Sequence, residues 1–501
     1  MNMKYLPRLI GSRRWRAIEH FKKHPHEVQA QTLASLLHKA SKTEFGKKYN
    51  FKNIKSWSDF QSQVPISNYD DLKPYIEKIL NGDDNVLWPG KILWFAKSSG
   101  TTSDKSKFLP ISRDALQKCH YRAGKDVLWL YYLNYPDTRI YRGQNLIIGG
   151  SHQINTLNKK SRLGDLSAVL IQNLPALVHL VRTPRLQIAL MSEWEEKIRL
   201  MAEETIRENV TNISGVPSWT LVLIKKIFEI TGQNDLRAIW PNLEVFIHGG
   251  VSFAPYRAEF AKLIPHDDMR YMEVYNASEG FFAIQDKKDR DDMLLMLDYG
   301  IFYEFIDMDN WRAGNMKALD LSQVELGKDY AMLISTNTGL WRYVIGDVVK
   351  FTDLKPYRLK ISGRTAHFIN VFGEELMIAN VEKALSLTAT EIKFSIKDYT
   401  VAPVFMSENN KGRHEWLIEF YEAPNDLNKF MEILDAKLKS INSDYEGKRQ
   451  NNMALDFPLL NVARENLFTD WLRSKGKLGG QHKVPRLSND RMIIEELLMM
   501  K

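Results

Sequence analysis

Hydroxyls, small residues and lysines crowd the segment that follows an apolar run in WFAKSSGTTSDKSKFLP, residues 94 to 110. Small residues let a backbone approach an anion closely, and consecutive exposed N–H groups form an anion-binding concavity. Because each charge-assisted hydrogen bond contributes about 1.5–3 kcal/mol, three or four of them hold a polyphosphate. The segment predicts a phosphate-binding loop, and an ordinary polar surface loop is the alternative that these residues alone leave open. The loop comprises Ser98, Ser99, Gly100, Thr101, Thr102, Ser103, Lys105 and Lys107.

Two further polar segments end apolar runs. In YNASEG, residues 275 to 280, Tyr275 is placed to stack on a purine, Ser278 to meet a phosphate and Glu279 to ligate Mg²⁺. Magnesium takes few protein carboxylates and completes its shell with phosphate oxygens and water. In YVIGDVV, Asp347 follows a glycine, and a carboxylate there accepts hydrogen bonds from both hydroxyls of a ribose. Plain turns at the two places are the structural alternatives.

Buried strands are predicted to carry these segments at their carboxyl ends, where open α/β sheets bind ligands. The runs are NLIIGG (145 to 150), LEVFIHGG (243 to 250) and YMEVYNASEG (271 to 280). Helical spacing predicts helices over 193 to 210 and 216 to 232, with Ser218 as an N-cap and Gly232 as a stop.

The second half of the chain changes character twice. Strand patterns dominate from residue 293 to 361, and a strand–helix mixture follows Gly363, with a strand over 413 to 422 and a helix over 425 to 445. We therefore place a domain boundary near residues 362 to 366.

Composition restricts the class of protein. The 501 residues are 44% hydrophobic and 26% charged, which is a globular profile of roughly three domain-sized units. The net charge of +8 favours an anionic ligand, but the densest basic segment, residues 11 to 25, is more typical of an amphipathic helix than of a nucleic-acid or membrane patch. The single cysteine, Cys119, excludes an intrachain disulfide. With no spanning segment or signal peptide expected, the prediction is a cytoplasmic protein without nucleic-acid or membrane partners.

Taken in order, SSGTTSDKSK, YNASEG, YVIGD, SGRTAHFINVFGEEL and KVPR resemble the motifs of the acyl-adenylate-forming superfamily of luciferases, acyl-CoA synthetases and peptide-synthetase adenylation domains. GVPSW, WPNLEVFIHGG and YNASEGFFAIQ resemble more specifically the Gretchen Hagen family of acyl acid–amido synthetases, and the likeness covers most of the chain. The resemblance implies an α/β fold with a large N-terminal domain, residues 1–362, of β-sheets flanked by helices plus a β-barrel-like part. A smaller, mobile α+β C-terminal domain, residues 363–501, would act as a lid.

The resemblance also implies a role for each matched residue. Gly249 and Gly250 would lie against adenine, and Arg364, at the interdomain junction, would reach the ribose. Lys483, with Arg486 three residues later, matches the catalytic lysine motif. The implied catalytic residues are Lys483, Glu279 and Lys107, with Glu279 also the Mg²⁺ ligand. The implied ATP-binding residues are Ser98, Ser99, Gly100, Thr101, Thr102, Gly249, Gly250, Tyr275, Asn276, Ser278, Asp347 and Arg364.

The implied reaction joins a carboxylic acid to an amino acid through an acyl-adenylate, with ATP and Mg²⁺, and releases AMP and pyrophosphate. The acid pocket is expected on the helix after the phosphate loop, at Arg122, Lys125 and Trp129, and on GVPSW, at Trp219. The alternative for these four is that the aromatics are core and the cations solvated. Two rival functions stay open: an acyl-CoA ligase with the same first step, and a non-catalytic nucleotide- or nucleic-acid-binding protein.

Overall fold

The computed structural model of the protein describes residues 6–99, 106–149, 155–158, 161–191, 193–365, 368–406, 411–450, 455–475 and 484–501. Its strands, in chain order, are β1 (Trp94–Ser99), β2 (Ser106–Ile111), β3 (Gln144–Ile147), β4 (Asn155–Asn158), β5 (Ser161–Gly164), β6 (Arg182–Thr183), β7 (Val210–Gly215), β8 (Val245–His248), β9 (Arg270–Ala277), β10 (Gly280–Ile284), β11 (Met293–Leu295), β12 (Ile301–Asp307), β13 (Asp329–Thr336), β14 (Tyr343–Leu354), β15 (Tyr357–Arg364), β16 (Phe368–Ile369), β17 (Leu376–Met377), β18 (Ser395–Val404), β19 (Arg413–Glu422) and β20 (Leu459–Val462).

Helices precede, separate and follow these strands. They are α1 (Leu6–Lys23), α2 (Pro25–Ala40), α3 (Glu44–Lys48), α4 (Trp57–Gln63), α5 (Tyr69–Leu80), α6 (Tyr121–Asn134), α7 (Leu166–Gln172), α8 (Leu186–Ala189), α9 (Trp194–Thr205), α10 (Pro217–Thr231), α11 (Leu236–Ile239), α12 (Arg257–Leu263), α13 (Met308–Arg312), α14 (Ile378–Ala389), α15 (Leu427–Ile441), α16 (Ser443–Arg449), α17 (Leu467–Ser474) and α18 (Met492–Met499). One turn of π-helix, Ala115–His120, leads into α6.

A large mixed sheet forms the centre of the described chain, in the order β12-β13-β14-β15-β11-β10-β9-β8-β7-β3-β6. The pairs from β6 through β3, β7 and β8 to β9 are parallel, whereas those from β9 through β10 to β12 are antiparallel. Strand β9 is therefore the junction between the two halves. Its carboxyl end lies where the parallel strands open into loops, the place at which such sheets bind ligands.

The parallel half of the sheet is covered on both faces. Successive side chains of β8 point in opposite directions, and each set packs against helices. Val245 and Ile247 share a hydrophobic cluster with the α6 residues Ala123 and Val127. Phe246 packs on the other face with residues of α10 and α12. Burial on both faces explains the continuous apolar character of the β8 sequence.

The C-terminal part of the chain builds a second, smaller layer. Strands β18, β19 and β20 form a sheet that α14 and α15 cover on one side and α17 and α18 on the other. The α14–α15 side belongs to the same hydrophobic cluster as α10 and α12. Tyr256, in the turn before α12, donates a 2.7 Å hydrogen bond to the carbonyl of Val371, which joins the two parts.

The predicted α/β class is confirmed, and several predicted elements have shifted bounds. Helix α9 ends at Thr205 rather than at residue 210, because Val210 already begins β7. The Ser218 cap is wrong: Pro217 occupies the first helical turn of α10 and Val216 is the N-cap. Gly232 does end α10, with a φ of +68° that suits glycine.

The basic N-terminal segment is the predicted amphipathic helix. Ile18 and Phe21 of α1 are buried, and Arg14 binds the carboxylates of Asp126 and Asp298. Arg14 and Lys22 of this helix thus serve intramolecular ion pairs. Among the described helices, none is both long and apolar enough for a bilayer span.

Candidate active site

Tyr275 and Asp347 meet at the centre of the candidate site. Tyr275, on β9, is 3% exposed and donates a 2.6 Å hydrogen bond from its hydroxyl to Oδ2 of Asp347 on β14. Burial first, and then the Asp347 carboxylate, raise the pKa of Tyr275 well above its ordinary value, so the phenol remains a donor. Its ring packs against Phe282 at 4.8 Å between centroids. The structure thus shows Tyr275 orienting the carboxylate, whereas stacking on adenine stays a prediction.

Arg364 holds the other oxygen of the same carboxylate. Asp347 and Arg364 are paired residues of β14 and β15, and Arg364 Nε lies 2.8 Å from Asp347 Oδ1. The guanidinium also lies 2.9 Å from Oε1 of Glu375. Burial lowers the pKa of Arg364 while Glu375 and Asp347 raise it, and the two carboxylates prevail. Arg364 is therefore a fixed positive charge between two acids.

Glu375 is a site residue that the sequence reasoning did not single out. It is a non-glycine residue with a φ of 37°, a left-handed conformation that is held only where surrounding contacts enforce it. Besides Arg364, those contacts include Asn442, whose side-chain amide donates a 3.1 Å hydrogen bond to the Glu375 carbonyl. The segment SGRTAHFINVFGEEL contained this residue, but nothing local distinguished it from the neighbouring Glu374.

Glu279 lies at the same centre of charge, half-buried in the turn between β9 and β10. Burial raises its pKa to about 7; Glu375 and Asp347 act in the same direction and Lys107 opposes them. The pKa of Glu279 therefore responds to the charges of Lys107, Asp347 and Glu375. A half-buried carboxylate whose charge is destabilised by its neighbours gains from a cation, and one carboxylate suits Mg²⁺ when phosphates supply other ligands. Within the described residues, no group of three or more potential ligands forms a ready-made metal cage.

The phosphate loop begins where the sequence predicts. Ser98 and Ser99 end β1, and the antiparallel register sets Ser98 opposite Lys107 of β2. Lys107 lies with its amine 6.0 Å from the ring centroid of Tyr69. Other predicted members of the loop, Gly100, Thr101, Thr102, Ser103 and Lys105, lie outside the described residues.

Gly249 and Gly250 follow β8, next to the carboxyl end of β9. A side chain at Gly249 would place its Cβ 2.4 Å from the Val274 carbonyl oxygen and 3.1 Å from Oδ1 of Asn276. Only glycine allows this close approach, and Gly250 continues the turn with a φ of +82°. These glycines thus adjoin the strand that carries Tyr275 and Asn276, and their contact with adenine stays a prediction.

Lys483 lies outside the described residues, but the segment that follows it is anchored. The Thr400 hydroxyl donates a 2.7 Å hydrogen bond to the Pro485 carbonyl, and the Val401 amide donates one of 2.9 Å to the Arg486 carbonyl. Arg486 lies over the Tyr399 ring and pairs with Glu382. Pro485 and Arg486 are thus fixed to β18 of the C-terminal sheet.

The four predicted acid-pocket residues have different surroundings. Arg122 donates a 2.9 Å hydrogen bond to the Asp298 carbonyl, and Lys125 is exposed. Trp129 stacks on Tyr132, and its indole nitrogen is buried without a partner among the described residues. Trp219, at the start of α10, is 7% exposed and contacts the C-terminal part of the chain. The pocket therefore remains a prediction.

Three family models match successive parts of the chain. The GH3 family N-terminal domain matches residues 14–269, the GH3 family central domain residues 294–364 and the GH3 family C-terminal domain residues 379–492. The chain belongs to the GH3 family. The family resemblance carried by the sequence motifs is thus confirmed.

Full-length relatives accompany the match. The Arabidopsis thaliana indole-3-acetic acid-amido synthetase GH3.4 is 22% identical to this GH3 protein over 94% of the chain and 90% of its own length. The 4-substituted benzoates–glutamate ligase GH3.12 of the same plant is 21% identical over 92% of each chain. The names of these relatives agree with the predicted activity, an acid–amino acid ligase.

Solved structures share the fold. The GH3.15 acyl acid amido synthetase superposes with a TM-score of 0.62 at 16% identity, covering 97% of this chain and 95% of that one. A 2-hydroxyisobutyryl-CoA ligase in complex with its acyl-adenylate and coenzyme A gives 0.59 at 14% identity, covering 96% and 93%.

Proposed function

We propose that this GH3 protein is an ATP-dependent acid–amino acid ligase. It activates a carboxylic acid as an acyl-adenylate and then transfers the acyl group to the amine of an amino acid. The observation that carries the proposal is the contact of Asp347 with Tyr275 and Arg364, which joins β9, β14 and β15 beside the turn that contains Glu279. These are residues that the family resemblance assigns to ATP.

Asp347 is the residue that we assign to the ribose. A carboxylate has about four acceptor positions, of which Tyr275 and Arg364 use two, so one on each oxygen is left for the ribose hydroxyls. Because both partners are themselves held in place, the carboxylate presents these positions in a fixed orientation. That preorganisation lowers the cost of ordering the nucleotide.

Lys107 and Glu279 are assigned to the phosphate end of ATP. In adenylation a carboxylate oxygen attacks the α-phosphorus, the bond to the β-phosphate oxygen breaks, and pyrophosphate leaves. Attack by one anion on another is slow unless positive charge offsets the repulsion, which is the role proposed for Lys107 and for Lys483. Mg²⁺, which Glu279 would hold, supplies further charge at the phosphates.

The acyl-adenylate must be protected from water before the amine arrives. We propose that residues 363–501 form the lid domain, with its junction at Arg364, and that the domain closes over the adenylate. Arg364 then has a second role, because its contacts with Asp347 and Glu375 link the nucleotide site to the first residues of that domain. A cytoplasmic location is also proposed, on the single buried cysteine.

Acid-dependent exchange of labelled pyrophosphate into ATP tests the adenylation step. A panel of carboxylic acids that starts with indole-3-acetic acid and 4-substituted benzoates would be screened, and products with amino acids or coenzyme A identified by mass spectrometry. The proposal predicts exchange with at least one acid and an amide product. A thioester as the sole product would instead make the protein an acyl-CoA ligase, and no exchange with any acid would contradict an adenylating enzyme.

A further inference from the structure

Helix α16 is held against residues 373 to 375, which follow Arg364 in the chain. Asn442 caps it by accepting hydrogen bonds from the amides of Asp444 and Tyr445. At its other end, Arg449 binds both oxygens of Asp435 at 2.8 and 2.9 Å, and the Tyr445 hydroxyl donates a 2.7 Å hydrogen bond to the same carboxylate. All three side chains are nearly inaccessible to solvent. The helix therefore presents its remaining side chains in defined directions.

Lys448, on α16, extends toward the N-terminal part of the chain. Its amine lies 4.0 Å from the ring centroid of Trp219 on α10. It passes over Gly373, where an added Cβ would lie 3.2 Å from Lys448 Cε. Gly373 has a φ of +85° and leaves the space that this lysine fills.

Lys448 differs from neighbouring cations in its charge environment. Lys437 pairs with Glu391, and Lys439 and Arg449 both pair with Asp435. In the ranges that the structure covers, Lys448 has no ion-pair partner, although it is half-buried. Burial lowers its pKa, and more distant carboxylates oppose the shift; they are Asp444, Asp165, Glu374 and Glu375.

Two of the carboxylates that act on the pKa of Lys448 are linked to the proposed nucleotide site. Glu375, one of these carboxylates, binds Arg364, which binds the proposed ribose ligand Asp347. Asp165 directly follows β5, the parallel neighbour of the phosphate-loop strand β1. Lys448 therefore lies over Gly373, two residues before the Glu375 that binds Arg364, with its amine on the Trp219 ring.

Resting on the proposed function, we propose that Lys448 binds the α-carboxylate of the acceptor amino acid. A zwitterion carries a carboxylate and an ammonium group side by side, which matches a cation flanked by carboxylates. The α-ammonium group gives one proton to solvent, the neutral amine attacks the acyl carbon, and the nitrogen releases a second proton to solvent as the amide forms. The C–N bond forms, the bond from that carbon to the phosphate oxygen breaks, and AMP leaves. Lys448 would thus select amino acids over plain amines.

The test separates acceptor binding from adenylation. Lys448→Ala and Lys448→Arg are compared with the wild type, and Lys429→Ala, an exposed lysine on α15, is the matched control. Hydroxylamine, a small neutral nucleophile, traps the adenylate of the acid found in the exchange screen and reports the first step. Alanine, phenylalanine and glutamate are each paired with the amine that lacks the α-carboxylate: ethylamine, 2-phenylethylamine and 4-aminobutanoate.

We expect Lys448→Ala to raise KM for the amino acid by about 10-fold or more, and to erase the preference over the matched amine. Hydroxamate formation should stay within about two-fold, Lys448→Arg should restore part of the preference, and the control should match the wild type. An unchanged amino acid KM would overturn the inference, and so would an equal loss with amino acid and amine, which would make Lys448 a base or a lid contact. Absence of hydroxamate in the wild type with every acid would overturn the proposed function and this inference with it.

Discussion

Replacing Asp347 by asparagine is expected to raise KM for ATP by about 10- to 150-fold in pyrophosphate exchange. The substitution preserves shape but removes the charge and one of two acceptor oxygens. Each oxygen accepts one protein donor, from Tyr275 or Arg364, and is assigned one ribose hydroxyl, so replacing either oxygen by an amide nitrogen removes one ribose acceptor and also disturbs that protein contact. One hydrogen bond to a charged group contributes about 1.5–3 kcal/mol, which gives that factor at 1.36 kcal/mol per decade.

Deoxynucleotides sharpen this prediction. In the wild type, replacing ATP by 2′-deoxy-ATP or 3′-deoxy-ATP should raise KM for the nucleotide by a similar factor. In Asp347→Asn, removing the one hydroxyl that the variant no longer binds should raise KM little further. Asp353→Asn, on the same strand and paired with Arg290 at 3.6 Å, is the matched control and should behave as wild type. If KM for ATP in Asp347→Asn stays within two-fold of wild type, the ribose assignment is refuted. Circular dichroism would establish that the variant is folded.

Three other substitutions test neighbouring features. Glu279 has a pKa raised from 4.5 to about 7, so the folded protein retains a proton that the unfolded chain loses; stability from this group is present below pH 4.5 and lost as pH rises to 7. Between pH 5 and pH 8, denaturant titrations should show the free energy of unfolding of the wild type falling by up to about 3 kcal/mol more than that of Glu279→Gln. If the free energies of unfolding of the two proteins change with pH in parallel, the raised pKa is refuted. Gly249→Ala sets a Cβ 2.4 Å from a backbone carbonyl and should cost about 1–3 kcal/mol in urea unfolding, whereas Gly124→Ala, in open space on α6, should stabilise by about 0.5–1 kcal/mol. Tyr275→Phe keeps the ring packing but removes the 2.6 Å bond to Asp347, so KM for ATP should rise about 5-fold or more and the free energy of unfolding should fall by about 1–3 kcal/mol. An unchanged KM would show that the phenol does not orient the carboxylate.

Sequence patterns predicted the parts of the site that strands position. Asp347 and Arg364 follow apolar strand patterns, and hairpin register between β14 and β15 brings them together without help from distant segments. The glycine pair after β8 and the stop at Gly232 are likewise encoded in a few adjacent residues. Such features depend on a few adjacent residues, so they can be predicted from one sequence.

Features that depend on long-range packing were not predictable in this way. Lys448 contacts Trp219, more than two hundred residues earlier, and its α16 sequence reads as an ordinary charged helix end. Trp219 was assigned to the acid pocket, although aromatic residues near a helix start fit several environments equally well. The predicted 425 to 445 helix breaks at Asn442, because that side chain caps α16 and also binds the Glu375 carbonyl. Tertiary contacts selected these outcomes over local propensity.

Oxygen transfer from the acid to AMP tests the central claim most directly. Protein, ATP, an amino acid and a carboxylic acid labelled with ¹⁸O in its carboxyl group would be incubated, and AMP and amide analysed by mass spectrometry. Attack of the carboxylate on the α-phosphorus predicts one ¹⁸O in the AMP for each amide formed. AMP without label, or label in inorganic phosphate alongside ADP, would contradict an acyl-adenylate and the site built around Asp347 and Glu279.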